Sequence, residues 1–293
     1  MFQLERILVP IDFSDGCLSA ASQAGALARH FHSKVTLLHV NEFLAIHALT
    51  GPVGFGITSW ESIRSEHLAV RQKELDEFAR AELRGLSVRR LVCTGDPAKL
   101  IIEHACAENS ELIIMSTRGG GPFRRFLLGS VTAKVLHDAD CPVWTGAHLG
   151  EVPVLTSTVF RHVMCAVNFG PESTKAVRWA AAFATELGAK LTVVHAVLET
   201  PPSLPDRYAF QWHDEAHRGA NERLCASLSD AGVQADVLVV SNGDIPRAIS
   251  SAVKEKGAGL LVMGRSCSGQ TPKRLGSHAY NIICNAPCPV VSI

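Results

Sequence analysis

The chain repeats itself at a spacing that only a whole domain can explain. Asp12 and Asn168 stand 156 residues apart, as do His39 and His195. Gly95 and Gly243 are 148 apart, while Gly129-Ser130 and Gly276-Ser277, and likewise Cys141-Pro142 and Cys288-Pro289, are 147 apart. A period near 150 is too long for a stacked solenoid unit and right for an independent core. The 293 residues are therefore read as two copies of one domain, residues 1–147 and 161–293, joined by a linker over 148–160. The last change of spacing leaves the second glycine loop one residue shorter than the first.

Within the first copy, apolar runs alternate with amphipathic stretches. Arg6–Ile11 and Lys34–Val40 read as strands, with a helix between them from an N-cap at Ser14 to about His30. Residues 41–60 are rich in glycine and lack a helical period, which predicts a loop, followed by a charged helix over about 61–84. Leu86–Val92 alternates as a third strand. Gly95-Asp96-Pro97 then opens a helix to about Glu108, with proline where a first turn tolerates it. Glu111–Met115 is a fourth strand, Val131–Leu136 a helix beginning at Gly129-Ser130, and Pro142–Thr145 a short fifth strand. Arg161–Val167, Lys190–His195 and Gly259–Met263 repeat strands one, two and four. Five strands alternating with four helices predict an α/β fold in each copy: an open parallel sheet with helices on both faces.

Composition narrows the partners. Lys plus Arg and Asp plus Glu both number 28, so no overall basic field argues for nucleic acid. No apolar run reaches the roughly 18 residues of a membrane span, and the N-terminus lacks a signal pattern, so a cytoplasmic protein without a membrane partner is expected. Nine cysteines, an odd number without a Cys-x-x-Cys pair, several in or beside strands such as Cys93, Cys141, Cys165 and Cys288, are expected to be buried thiols in a reducing compartment.

The stretch from Met115 to Thr132 is a strand end, a glycine-rich loop and a helix start. Glycines let backbone N–H groups approach a ligand, and a helix N-terminus favours an anion, so the corner suits a phosphate. It is not a Walker loop, since no Gly-Lys-Ser or Gly-Lys-Thr occurs, and strand one is not followed by Gly-x-Gly-x-x-Gly. The loop resembles the nucleotide-binding loop of the universal stress protein family, Gly-x2-Gly-x9-Gly-Ser/Thr. Gly119, Gly129 and Ser130 fall on its last three positions, and Ser116 occupies the place of the first glycine. Val131-Thr132 and the closing Cys141-Pro-Val143 strand are also typical, and the resemblance extends over nearly the whole chain.

The resemblance implies a strand order of 3-2-1-4-5 in each copy. In that order strands one and four diverge at their carboxyl ends, where such sheets bind ligands. It also implies a site for ATP or another adenine nucleotide, with or without Mg²⁺. Asp12 would accept from an adenine amino group or ribose hydroxyls; the alternative is that it merely caps the next helix. Val40 would line the adenine pocket with Pro10 and Ile11 beside it, Met115 and Ser116 would close strand four, and core packing is the competing role of the apolar ones. Gly119 and Gly129 would admit phosphates, and Ser130, Val131 and Thr132 would donate to them, an ordinary turn and N-cap being the alternative; Arg118, Arg124 and Arg125 would add charge or else be solvated. In the second copy Gly264 keeps the first loop glycine, Cys267 stands where the next should be, and Asn168 replaces the aspartate. Nucleotide is therefore expected mainly in the first copy, the second binding weakly or serving as a structural partner. In the family the terminal strand pairs two subunits, which implies that the two copies pair within this chain; a homodimer of chains is a further expectation.

His213 and His217 lie one helical turn apart near Asp214, but two ligands do not make a metal site, and a solvated helix face is expected. His39 and His195 read as packed or hydrogen-bonded. No nucleophile elbow and no carboxylate pair for phosphoryl transfer is found. Three functions remain: a nucleotide-responsive stress-response sensor or binding protein, a slow Mg-dependent ATPase, or a scaffold for protein contacts that binds no nucleotide.

Overall fold

A computed structural model of the chain describes residues 2–42, 57–117, 128–146, 160–198, 206–241, 243–265 and 276–293. The chain divides into two compact units, Gln3–Val152 and Pro153–Ile293, the latter taking in Met1–Phe2.

The first unit contains β1 (Arg6–Ile11), α1 (Asp15–Phe31), β2 (Lys34–Asn41), α2 (Ile57–Glu77), β3 (Val88–Thr94), α3 (Pro97–Ala107), β4 (Leu112–Met115), α4 (Ser130–Asp138) and β5 (Val143–Thr145). Its strands lie in the order β3-β2-β1-β4-β5, and every pair is parallel. The second unit repeats this with β6 (His162–Ala166), α5 (Pro171–Glu186), β7 (Lys190–Ala196), α6 (Asp206–Ala231), β8 (Asp236–Val240), α7 (Ile245–Lys256), β9 (Leu260–Met263), α8 (Ser277–Asn285) and β10 (Val290–Ser292), ordered β8-β7-β6-β9-β10. Each half is thus an α/β sheet in the order 3-2-1-4-5 with helices on both faces.

The central strands are apolar throughout because helices cover them on both sides. Ile7, Leu8 and Val9 of β1 and all four residues of β4 are buried. Helix α1 packs on β1 and β4 through Leu27 and through Ala20, Ala21, Ala24 and Ala28, small residues that allow close approach. On the same helix a Cβ added to Gly25 would lie 2.7 Å from the Glu82 carbonyl oxygen, so only glycine fits where that backbone crosses. The core extends to Trp144 on β5, whose indole N–H donates to Gln23 Oε1 of α1 at 2.5 Å.

Several boundaries differ from the sequence reading. Helix α2 starts at Ile57, inside the expected loop, and stops at Glu77 rather than near Arg84; the chain then turns, with Ala79 left-handed at φ 52°. Strand β3 sits two residues later than expected, Val88–Thr94, held there by its register from Val35↔Val88 to Asn41↔Thr94. Ser14 is the N-cap of α1, yet its side chain makes no capping bond and its hydroxyl is buried without a partner among the described residues. Asp96 does cap α3, accepting from the Lys99 N–H at 3.0 Å with Pro97 as the first helical residue.

Cys17, Cys165, Cys284 and Cys288 are buried, but Cys93 and Cys141 are only half-buried and Cys106 and Cys225 are exposed; none of these eight is in a disulfide. Burial pushes the Cys17, Cys165 and Cys288 thiols up to about 12. Iodoacetamide at pH 8 is expected to label Cys106 and Cys225 and to spare these three, as read by peptide mass spectrometry. Because the folded state holds these protons more tightly than the unfolded chain, their contribution to stability is complete below about pH 9 and is lost as the pH rises toward 12.

Candidate functional site

The strand order brings the carboxyl ends of β1 and β4 side by side, and a cleft of about 580 Å³ opens there in the first unit. Pro10, Ile11 and Asp12 reach it from the end of β1, and Val40 from β2. Met115 and Ser116 reach it from β4, and Gly129, Ser130, Val131 and Thr132 from the start of α4. Ten of the eleven residues chosen from sequence therefore meet around one space; Gly119, like Arg118, Arg124, Arg125 and Cys267, lies outside the described residues.

At one end of the cleft Asp12 leads the chain from β1 into α1. Its Oδ1 accepts from the Ser14 N–H and from the Cys17 thiol, both at 2.9 Å. So Asp12 braces the turn that leads into α1, whose N-cap is Ser14, and it does so with one oxygen. Oδ2 has no hydrogen-bond partner among the described residues, and Asp12 is solvent-exposed at the cleft. A carboxylate held by one oxygen and open at the other is a fixed acceptor for a ligand amine or hydroxyl.

At the other end Gly129 is the N-cap of α4, and its own N–H donates to the Thr117 carbonyl at 2.8 Å. The first intrahelical bond runs from the Ala133 N–H to the Gly129 carbonyl, so the N–H groups of Ser130, Val131 and Thr132 precede it. They point out of the helix N-terminus with its partial positive charge, the arrangement that receives a phosphate. The Thr132 hydroxyl is not part of that set: it is buried and donates to the Ser116 carbonyl at 3.0 Å, tying α4 to the end of β4.

Sequence reasoning passed over the rim. Glu42, His67 and Arg71 also line the cleft, the last two from α2, whose short charged turns carried no motif. His39 lines it as well, its Nδ1 bonded to the Ile11 carbonyl at 2.8 Å. A carbonyl only accepts, so Nδ1 carries the proton and Nε2 of the neutral ring is an acceptor. The Phe13 ring lies against His39 at 4.6 Å between centroids, with the Arg71 guanidinium 6.0 Å above it, and Phe13 is held left-handed at φ 62°. The second unit repeats the group: His195 Nδ1 bonds the Val167 carbonyl at 2.8 Å, Phe169 has φ 59°, and Arg223 lies 4.1 Å over its ring. The shared spacing of Phe13 and Phe169, 156 residues like that of Asp12 and Asn168, was the available signal.

Burial first, and after it the nearby Arg71, pulls the His39 imidazole below its usual range, while the bond to the Ile11 carbonyl and then Glu74 and Asp12 pull the other way. The neutral ring is thus the folded form, and the stability it brings is present above about pH 6.5 and lost as the pH falls through the lowered value. The thermal midpoint of the wild type is expected to drop more between pH 7 and pH 5 than that of His39→Gln, which cannot titrate; equal drops would remove His39 from this account.

Among the described residues, no group of three His, Cys, Asp or Glu is placed to hold a metal ion, and the His213 and His217 rings lie tilted at 4.2 Å between centroids without a third ligand. No helix among them is long and apolar enough to cross a membrane.

With this geometry in place, likeness to known proteins identifies the family. The profile of the Universal stress protein family matches residues 3–145 and again 160–293. A universal stress protein of Methanocaldococcus jannaschii is 33% identical over 140 residues, which is 47% of this chain and 79% of that protein. One from Mycolicibacterium smegmatis is 24% identical over 301 aligned positions, spanning 98% of this chain and 96% of its own. In fold, the chain is similar to the crystal structure of a universal stress protein from Archaeoglobus fulgidus, with a TM-score of 0.67 at 23% identity, covering 99% of this chain and 96% of that one. Matched along both of its copies, the chain belongs to the universal stress protein family, a stress-response group.

Proposed function

We propose that the first half binds an adenine nucleotide, ATP in the first instance, and that the protein acts as a nucleotide-responsive sensor or binding protein. The observation that carries this reading is the meeting, around one 580 Å³ cleft, of a carboxylate oxygen on Asp12 and the N–H groups of Ser130, Val131 and Thr132, none of which has a partner among the described residues. Asp12 Oδ2 accepts from the adenine amino group or a ribose hydroxyl, a charge-assisted bond of about 1.5–3 kcal/mol. Pro10, Ile11, Val40 and Met115 supply the apolar walls. The start of α4 receives the phosphates, and Arg71 stands at the rim to balance their charge. The residues present therefore fit the nucleotide at both of its ends.

The second half takes ATP weakly in this account, because Asn168 replaces the carboxylate and the matching cleft is smaller. The test is to purify the full chain without added nucleotide, denature it and identify what is released by mass spectrometry. An adenine nucleotide in up to one equivalent is expected; an empty protein that also fails to take up labelled ATP would end the proposal. Incubation with ATP and Mg²⁺, followed by phosphate release, separates the sensor from a slow ATPase: the sensor leaves the nucleotide intact.

A further inference from the structure

The second unit carries a cleft at the place that matches the first, and the two differ in the sense of one hydrogen bond. Its volume is about 300 Å³ against about 580 Å³. The apolar walls are kept, with Ile249 standing for Ile101 and Met263 for Met115. The charges are not kept. Asp12, Glu42 and Arg71 line the first cleft, whereas no Asp, Glu, Lys or Arg is among the described residues lining the second.

Asn168 decides what the second cleft can hold. Its Oδ1 accepts from the Gly170 N–H at 2.9 Å and from the Ser173 hydroxyl at 3.0 Å. A backbone N–H can only donate, so the amide oxygen, not the nitrogen, must face it. The Nδ2 group is left without a partner among the described residues, on a side chain that lines the cleft. In the first unit the same anchoring, through Ser14 and Cys17, leaves an oxygen of Asp12 instead. His39 and His195 have the same tautomer, each fixed by a 2.8 Å bond to a carbonyl, so that pair does not share the reversal. One scaffold thus offers a ligand an acceptor in its first cleft and a donor in its second.

We propose that the second cleft is a binding site of its own for an uncharged, planar heterocycle with a ring carbonyl where the first cleft takes an amine, the chemistry of a 6-oxopurine base or nucleoside. The choice of a purine rests on the reading that the first cleft holds adenine through Asp12. The size agrees: about 300 Å³ lies at the lower end of ligand pockets, roughly 300–1,000 Å³, where a nucleoside fits without a polyphosphate. No charged side chain is among the described lining residues, which agrees with an uncharged base.

Inosine and adenosine differ at the group Asn168 would read, and serve as the probes. Each is titrated into the full chain, and occupancy is read from the imidazole NMR signal of His278, which lines this cleft and is assigned by its loss in His278→Ala. Inosine is expected to move that signal with an affinity about tenfold or more above that of adenosine, the value of one hydrogen bond made against one left unmade. Asn168→Asp, which copies the first unit, should reverse the order. Ser173→Ala frees the amide to turn and should narrow the preference without reversing it. No response to inosine, equal affinities, or a preference unchanged in Asn168→Asp would each overturn the proposal. The first cleft is scored separately by ATP and Asp12→Ala, so its failure would leave a response of His278 to inosine standing.

Discussion

Asp12→Ala is expected to weaken ATP binding by the full chain roughly ten- to a hundredfold, the loss of a charge-assisted hydrogen bond of about 1.5–3 kcal/mol. The substitution acts twice. It removes Oδ2, the open acceptor in the cleft, and it strips Oδ1 from the Ser14 N–H and the Cys17 thiol that it holds at 2.9 Å. Asp12→Asn separates these effects. The amide oxygen can keep the Ser14 and Cys17 bonds, as Asn168 does with Gly170 and Ser173, while the open position changes from acceptor to donor. Its melting temperature should stay near that of the wild type while its ATP affinity falls almost as far as in Asp12→Ala. Fluorescence titration with a labelled ATP checks both variants. Wild-type affinity in both would reduce Asp12 to a brace for the turn before α1.

The largest effect on stability is expected at Trp144→Ala. Trp144 is wholly buried on β5, and its indole N–H meets Gln23 Oε1 on α1 at 2.5 Å. Removing a buried tryptophan costs about 3–5 kcal/mol through lost burial and the cavity left behind. Gln23, itself buried, would also lose the donor to its Oε1, a further penalty of about 1–3 kcal/mol. Trp144→Phe should cost clearly less than alanine because most of the volume remains, though Gln23 still loses its donor. Urea unfolding of the first-half transition measures both; a Trp144→Ala midpoint within error of wild type would mean that this contact does not hold α1 to β5.

Much of this architecture is legible in the sequence because the repeat fixes what each part must match. Central strands such as β1 and β4 announce themselves as short apolar runs, since helices bury both of their faces. The start of α4 is marked by Gly129-Ser130, and Pro97 marks the start of α3, where local chemistry alone sets the boundary. Strand β3 was misplaced by two residues for the opposite reason. It lies at the outer end of its half and is half-buried along most of its length, so the alternation over Leu86–Val92 does not set its ends, and pairing with β2 does. The end of α2 was misread because residues beyond Glu77 keep a helix-like composition, while the left-handed turn at Ala79 answers to its surroundings. The candidate site was legible where it rests on strand ends and a helix start. Its rim was not: Arg71 and His67 reach the cleft only because α2 packs beside β3, a tertiary relation no local pattern encodes. The Asp12–Cys17 link was also hidden, since a cysteine gives no sign of which group its thiol will meet.

Isothermal titration of ATP into the full chain tests the nucleotide reading most directly. The expected isotherm has one site per chain, lost or strongly weakened in Asp12→Ala and retained in Asn168→Ala. Two equivalent sites, no binding, or a site indifferent to Asp12 would contradict it.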